Sequence, residues 1–244
     1  MSQESPQTTS AEEKNQDDTS PWVVIPGGNV ILVVGQDEME IQAGSEFLGH
    51  ISPFFRAMFS SNMKEGQALR DNTGPNPVPI KLPVDNFTAV YFGLQALYGA
   101  DPESFDIPSG TIRDISIFAD KYNMTTRFLP MATLWLAAAP STMGLSDRQA
   151  GWNLLIASYW FGLAKPFYMM SQFLLRTNIS LLEYALELED QNLGLRLALA
   201  IEQVRLANAY CGDEIGLCLD CFRTAQTCYV QRQPECRYEG RHLW

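Results

Sequence analysis

The side chains best equipped for chemistry in this chain are thiols, and they are crowded together. All five cysteines fall between Cys211 and Cys236. Cys218-Leu219-Asp220-Cys221 is a C-x-x-C pair, a spacing that lets two thiolates reach one zinc ion from a single turn; Cys228, Cys236 or His242 could complete four ligands. The surrounding residues favour another use. Zinc-binding turns carry glycine and polar residues around the pair, whereas Ile215 to Phe222 reads as helix and sets Cys218 and Cys221 on one face at i, i+3. The expectation is two core cysteines packed between helices, with no metal and no cofactor. A zinc-stabilised nuclear regulator built on the Cys211–Cys236 cluster is the alternative, and the absence of a basic run counts against it. A redox pair would need a strand-to-helix setting that this C-x-x-C lacks.

Other routes to catalysis are thin. The chain has two histidines, His50 and His242. Neither has a serine or cysteine beside it to activate, and His50 lies in an apolar run. The glycines of G-G-N-V-I-L-V-V-G at 27–35 lack the spacing and the following helix of a phosphate loop. No catalytic residue is assigned, and the protein is expected not to be an enzyme. More informative is Ser52-Pro-Phe-Phe-Arg-Ala-Met-Phe-Ser-Ser-Asn-Met-Lys-Glu65. Ser52 can cap a helix and Pro53 suits its first position. Phe55, Met58 and Phe59 then share an apolar face at i, i+3, i+4. Met63-Lys64-Glu65 follows, a hydrophobe and a carboxylate on an exposed turn ending at Gly66. Such a surface suits the binding of a protein better than the turnover of a substrate.

Composition narrows the classes further. With 244 residues and 46% hydrophobic side chains the chain can bury a real core. Seventeen Lys and Arg scattered among 28 Asp and Glu give a net charge of −11, which argues against nucleic acid because phosphate binding needs a basic stripe. The best membrane candidate, 151–175, has Lys165-Pro166 near its middle, and 131–139 is short and bracketed by Pro130 and Pro140. Residues 1–20 lack both a basic start and an apolar stretch, so no secretion signal is read there. Their excess of acids predicts a disordered tail. The odd cysteine count does not resemble a secreted disulfide framework. The expected location is intracellular, cytoplasmic or nuclear.

The pattern along the chain predicts an α+β fold. Trp22 to Ile25 is a short β-prone run between Pro21 and Pro26. Val30–Val34 reads as a buried strand, Met39–Ile41 as its hairpin partner and Val78–Leu82 as a third strand after a Gly/Pro/Asn loop over 66–79. Helices follow from about Asp85 with Gly99 as its stop, from Ser109 (Ile112, Ile115, Ala119 and Tyr122 on one face), and over 125–138 with Phe128, Leu129, Ala132 and Trp135. Beyond a joint at Gly144 to Asp147 the pattern is all-helical, near 148–163, 166–176, 179–210 and 213–230. Leu182, Leu186, Leu193, Leu197 and Val204 form the core stripe of the third of these.

With these elements in order, residues 29–137 resemble a BTB (POZ) domain. N-V-I-L-V-V-G at 29–35, F-L-G-H-I-S-P-F-F-R-A-M-F at 47–59, I-K-L-P at 80–83, A-L-Y-G at 96–99 and F-A-D-K-Y at 118–122 carry the resemblance. The helical tail looks most like the short BTB proteins of filamentous fungi. Beyond the acidic tail of 1–20, the resemblance implies a BTB domain over 21–140 with a three-stranded sheet capped by helices, and a helical region over 145–244. It implies a non-enzymatic scaffold that holds itself, or other BTB proteins, through the N-terminal strand (Trp22, Val23, Val24, Ile25). Asn29 and Gly44 stand where many members have the Asp and His of a charged central pocket, which puts that pocket in doubt. Met63-Lys64-Glu65 is similar to the hydrophobe-x-Glu motif by which BTB adaptors grip the cullin scaffold of ubiquitin ligases, with Phe55, Met58 and Phe59 behind it.

Overall fold

Val30-Ile-Leu-Val-Val34 is apolar without interruption, and such a strand is stable only with both faces covered. In the computed structural model, which describes residues 20–99, 107–142, 144, 147–177, 179–211, 215–234 and 236, it takes the interior of a sheet. Four strands form that sheet among the described residues: β1 (Trp22–Val23), β2 (Val30–Val34), β3 (Met39–Ala43) and β4 (Val78–Leu82), in the order β1-β3-β2-β4. The expected three strands are joined by Trp22–Val23, which adds parallel to β3 at one edge. β2 and β3 are the predicted hairpin, with Leu32 opposite Ile41, and β4 runs parallel to β2 with Ile80 opposite Leu32. Pro79 is tolerated because β4 is the other edge. The Val78 N–H donates to Asn29 O (2.9 Å), so alternate N–H groups face β2 and the proline nitrogen faces away.

Between β3 and β4 run three short helices, α1 (Ser45–Ile51), α2 (Pro53–Ser60) and α3 (Lys64–Asp71). The last is a departure from expectation, since 66–79 reads as loop. Residues 64–71 coil because Gly66 lets them lie against α2. A Cβ at Gly66 would stand 2.5 Å from Ser61 O and 2.8 Å from the carbonyl oxygens of Met58 and Phe59, all backbone atoms. Then come α4 (Phe87–Tyr98), capped by Asn86 and ended by Gly99 in a left-handed conformation (φ 106°), α5 (Ser109–Lys121) and α6 (Thr125–Thr142). Ile112, Ile115, Ala119, Tyr122, Phe128, Ala132 and Trp135 are buried as their spacing predicts; Leu129 is not, and faces outward.

The C-terminal half is helical but more broken than its pattern implied: α7 (Arg148–Trp160), α8 (Ala164–Arg176), α9 (Leu182–Leu186), α10 (Gln191–Cys211) and α11 (Leu219–Thr224). The run expected as one helix over 179–210 is cut because Asp190 caps α10, its Oδ1 accepting from the Leu193 N–H at 2.9 Å. Leu193, Leu197 and Val204 are core, while Leu182 and Leu186, on the far side of the break, are half exposed. The segment expected as helix over 213–230 is helical only from Leu219 to Thr224 among its described residues. One apolar core runs through both halves, with α5 packed on α7. No helix among the described residues is long and apolar enough to cross a membrane. The acidic tail of 1–20 lies outside the described residues, apart from Ser20.

A buried polar chain ties these parts. Ser52 accepts from the Phe55 N–H (3.1 Å) as the predicted cap of α2 and donates its hydroxyl proton to Tyr122 O (2.7 Å) at the end of α5. Tyr122 donates to Asp85 Oδ2 (2.7 Å), which Lys121 also reaches (2.9 Å). Burial and the Asp85 carboxylate push the Tyr122 hydroxyl well above its ordinary pKa, so it stays a donor. The Tyr122 ring stacks on Phe55, centroids 4.9 Å apart and planes 5° from parallel. We expect Tyr122→Phe to preserve that stack yet lose about 1–3 kcal/mol by leaving Asp85 short of a donor. Ser52→Ala should lose about 1–2 kcal/mol. Urea unfolding midpoints measure both; unchanged midpoints would remove this junction from the account.

Candidate functional site

The turn from α2 into α3 is built rigidly from its own polar groups. The Met63 N–H donates to Ser61 Oγ (3.1 Å), the Gln67 side chain donates to Asn62 O (3.0 Å) and the Gln67 N–H to Met63 O (2.9 Å). Arg70 reaches back to Ser61 O at 3.0 Å. With the backbone so held, Met63 stands in the open at 60% exposure. Glu65, in the first turn of α3, makes no hydrogen bond or ion pair among the described residues. An acid at that end of a helix is also favoured by the helix dipole. The tripeptide expected as an exposed turn is thus a helix start, with Met63 in the N-cap position.

Behind this turn the predicted residues divide. Phe55 is fully buried and belongs to the core, stacked between Phe59 and Tyr122. Met58 and Phe59 are partly buried against that core. The aromatic that α2 presents outward is Phe54, 47% exposed with its ring edge-on to Tyr122. The helical period could have found it, since Phe54 sits one position off the Phe55/Met58/Phe59 face. Hydrophobicity alone drew attention to the whole run. His50 ends α1 in an exposed position, its carbonyl accepting from Arg127 (3.3 Å).

The N-terminal strand is split in the same way. Trp22 packs edge-on against Phe87 (5.6 Å) and Tyr91 (5.1 Å) of α4 within the chain. Val24 is buried and Ile25 partly so, while Val23 is 45% exposed. Asn29 is engaged at the start of α1, its Oδ1 accepting from the Ser45 N–H (2.8 Å) and its Nδ2 donating to Ser45 Oγ (2.9 Å). Gly44 occupies the cap position of α1 and supplies no side chain, so Asn29, just before β2, caps that helix from a distance in sequence.

Two further concavities stand out, one in the helical half and one between the two halves. Ile179, Leu181, Leu182, Leu195 and Leu199 line a groove of about 530 Å³ with Glu202 and Arg205 at its margin. Leu182, Leu195 and Leu199 are exposed there, each between 42% and 52%. A second cleft of about 470 Å³ lies among Asp85, Asp114, Lys121, Trp160, Glu189 and Asp190. The groove is mostly apolar, whereas the cleft gathers four carboxylates and the Lys121 ammonium, of which Asp85 is already engaged by Lys121 and Tyr122.

The thiols converge more than the spacing alone implied. Cys218 is not inside a helix; it is the N-cap of α11 in extended conformation (φ −81°, ψ 126°), with Cys221 one turn on. The chain returns to bring Cys236 beside them, its Sγ 3.5 Å from that of Cys218, and all three sulfurs lie within 4.8 Å of one another. Burial pushes the Cys218 thiol up to about 12 and also raises Cys221, against the pull of backbone amides. Such thiols are protonated at neutral pH and are poor nucleophiles by themselves. Cys228 stands outside this group; the thiol of Cys211 and the whole of His242 lie outside the described residues.

No protein-family model matches the chain, and no curated protein matches it. The α2–α3 turn therefore has to be judged by its own geometry, and Gly66 controls that geometry. We expect Gly66→Ala to push α3 off α2 and lose about 1–3 kcal/mol. Gly74→Ala, where a Cβ meets only Asn72 Oδ1 at 3.6 Å, is the control. Its unfolding midpoint should stay within about 0.5 kcal/mol of the parent.

Proposed function

We propose that this chain is a non-catalytic protein-interaction module of the BTB type, a scaffold that holds a partner polypeptide on its α2–α3 turn. One observation carries the reading. Met63 is exposed and Glu65 uncommitted on a turn held by the Met63 N–H on Ser61 Oγ and the Gln67 side chain on Asn62 O. A hydrophobe and a carboxylate fixed in this way suit a partner surface with an apolar notch and a donor pair at its rim. The anchor would bind in the desolvated centre, and the charge would set orientation and encounter rate. Phe54 extends the apolar part of the same surface. The groove at Leu182, Leu195 and Leu199 gives the helical half a place for a second polypeptide, as a scaffold needs.

A second reading makes the protein a substrate adaptor of a cullin-based ubiquitin ligase. The exposed Met63 and free Glu65, three residues into the structure that follows α2, favour it. Self-association, as a homodimer or with other BTB proteins, belongs to the same proposal. Trp22 and Val24 face inward, so a contact through the N-terminal strand has Val23, Ile25 and the outer edge of β1 to work with. The net charge of −11 fits protein partners better than nucleic acid, and the proposed place of work is inside the cell.

The test is affinity purification with mass spectrometry from the native cell, comparing the parent with Met63→Asp and Glu65→Lys. Point variants are preferable to truncation at 140, which would cut through the shared core. Both variants should unfold at the parent midpoint and recover the partner at least about tenfold less well. Loss of a cullin specifically would select the adaptor reading. An identical partner set from all three proteins would defeat the interaction surface proposed here.

A further inference from the structure

We propose that Cys218, Cys221 and Cys236 bind one zinc ion that fastens the C-terminal tail back onto α11. This goes beyond the α2–α3 surface and is independent of it. Zinc–sulfur bonds of ~2.3 Å in tetrahedral array place the sulfurs ~3.8 Å apart. The three thiols stand 3.5 Å apart at their closest pair and within 4.8 Å overall, so small side-chain rotations bring them to zinc. They come from two separate stretches of chain, the start of α11 and a non-helical segment beyond it that turns back at Gln233, which chance helix packing at i, i+3 does not explain.

The segment that delivers Cys236 is the reason a metal is useful. The described residues between Ala225 and Cys236 form neither a helix nor a ladder strand, yet they are ordered against the helices. Tyr229 stacks on Phe222 (5.4 Å), its N–H donates to Gln203 Oε1 (3.0 Å) and Arg196 donates to its hydroxyl (3.3 Å). Ordering such a stretch costs about 1–2 kcal/mol of backbone entropy per residue, more than a few ring and polar contacts return. A structural zinc offsets that cost, because its binding free energy is folding free energy.

Backbone amides already point at two of the sulfurs. The Gln233 N–H donates to Cys221 Sγ at 3.4 Å, and the Cys221 amide faces the Cys218 sulfur. Amides aimed at sulfur hold metal-bound thiolates in place. Soft sulfur donors select zinc over magnesium or calcium, and three of them leave a fourth position for water or another side chain. Binding exchanges the three thiol protons for the ion, with no change of oxidation state. A disulfide between Cys218 and Cys236 would instead need an oxidant and would strand Cys221.

The experiment uses the full chain purified under reducing conditions without added metal, with zinc measured by elemental analysis and the fourth ligand by X-ray absorption. We expect about one zinc per chain in the parent and in Cys228→Ser, and below about a tenth in Cys221→Ser. To separate metal loss from misfolding in Cys221→Ser, the parent is also stripped with a chelator and titrated with zinc. Thermal stability should rise on refilling, and proteolysis within 225–236 should slow at least about tenfold. Cobalt in place of zinc should give tetrahedral thiolate absorption bands. Stripped parent that gains neither stability nor protection with zinc overturns the proposal, as does zinc-free parent with a Cys218–Cys236 disulfide.

Discussion

The constraint on which the first half of the molecule depends is the meeting of buried Ser52 and Tyr122 with Asp85 at the edge of the interior. Ser52 is fully buried, and its single hydroxyl must both end the free amides of α2 and satisfy the last carbonyl of α5. That double duty fixes the crossing of α2 and α5 through two residues 70 positions apart in sequence. Tyr122 then hands the constraint to Asp85, at the entry to α4, with Lys121 neutralising the carboxylate. A buried carboxylate without a donor would be costly, so the three elements move together or not at all. The position of Met63 and Glu65 inherits this rigidity, since α3 rests on α2 with only a glycine's width between them.

The same logic binds the two halves. Asn153 of α7 is nearly fully buried, accepts from Arg113 (3.1 Å) and Gln149 (3.2 Å), and donates to Ser109 Oγ (3.3 Å). A buried amide tolerates little misplacement, so α7 is registered on α5 by polar contacts as well as by the apolar core. Trp152 beside it is almost wholly buried. The interior continues from one half into the other.

What was legible in the sequence follows the range of the forces involved. The cap at Ser52, the stop at Gly99 and the burial of Ile112, Ile115, Ala119 and Tyr122 are local or periodic effects, and they read correctly. Errors came where a distant partner decided. Residues 64–71 are helical because α2 accommodates Gly66, and helix propensity over eight residues could not have announced that. Asp190 breaks the long C-terminal helix through one cap that the leucine stripe conceals. Hydrophobic spacing placed Leu182 and Leu186 in the core, but a helix break resets the phase, and they emerged on the surface. Cys236 could be named as a possible ligand from composition, whereas its return to Cys218 depends on the path of a segment with no periodicity at all.

Rigidity is also what makes the α2–α3 turn suitable for holding another chain. Association must offset lost translational freedom and the freezing of side chains, so affinity rests on how much ordering has been done beforehand. Here the backbone from Ser61 to Gln67 is already pinned by side chains of its own, and only two rotamer-rich groups remain to be ordered. A flexible loop bearing the same methionine and glutamate would surrender much of its binding free energy to conformational entropy. The buried junction at Tyr122 therefore reaches function through entropy, by holding still the platform on which exposed Met63 and half-buried Glu65 stand.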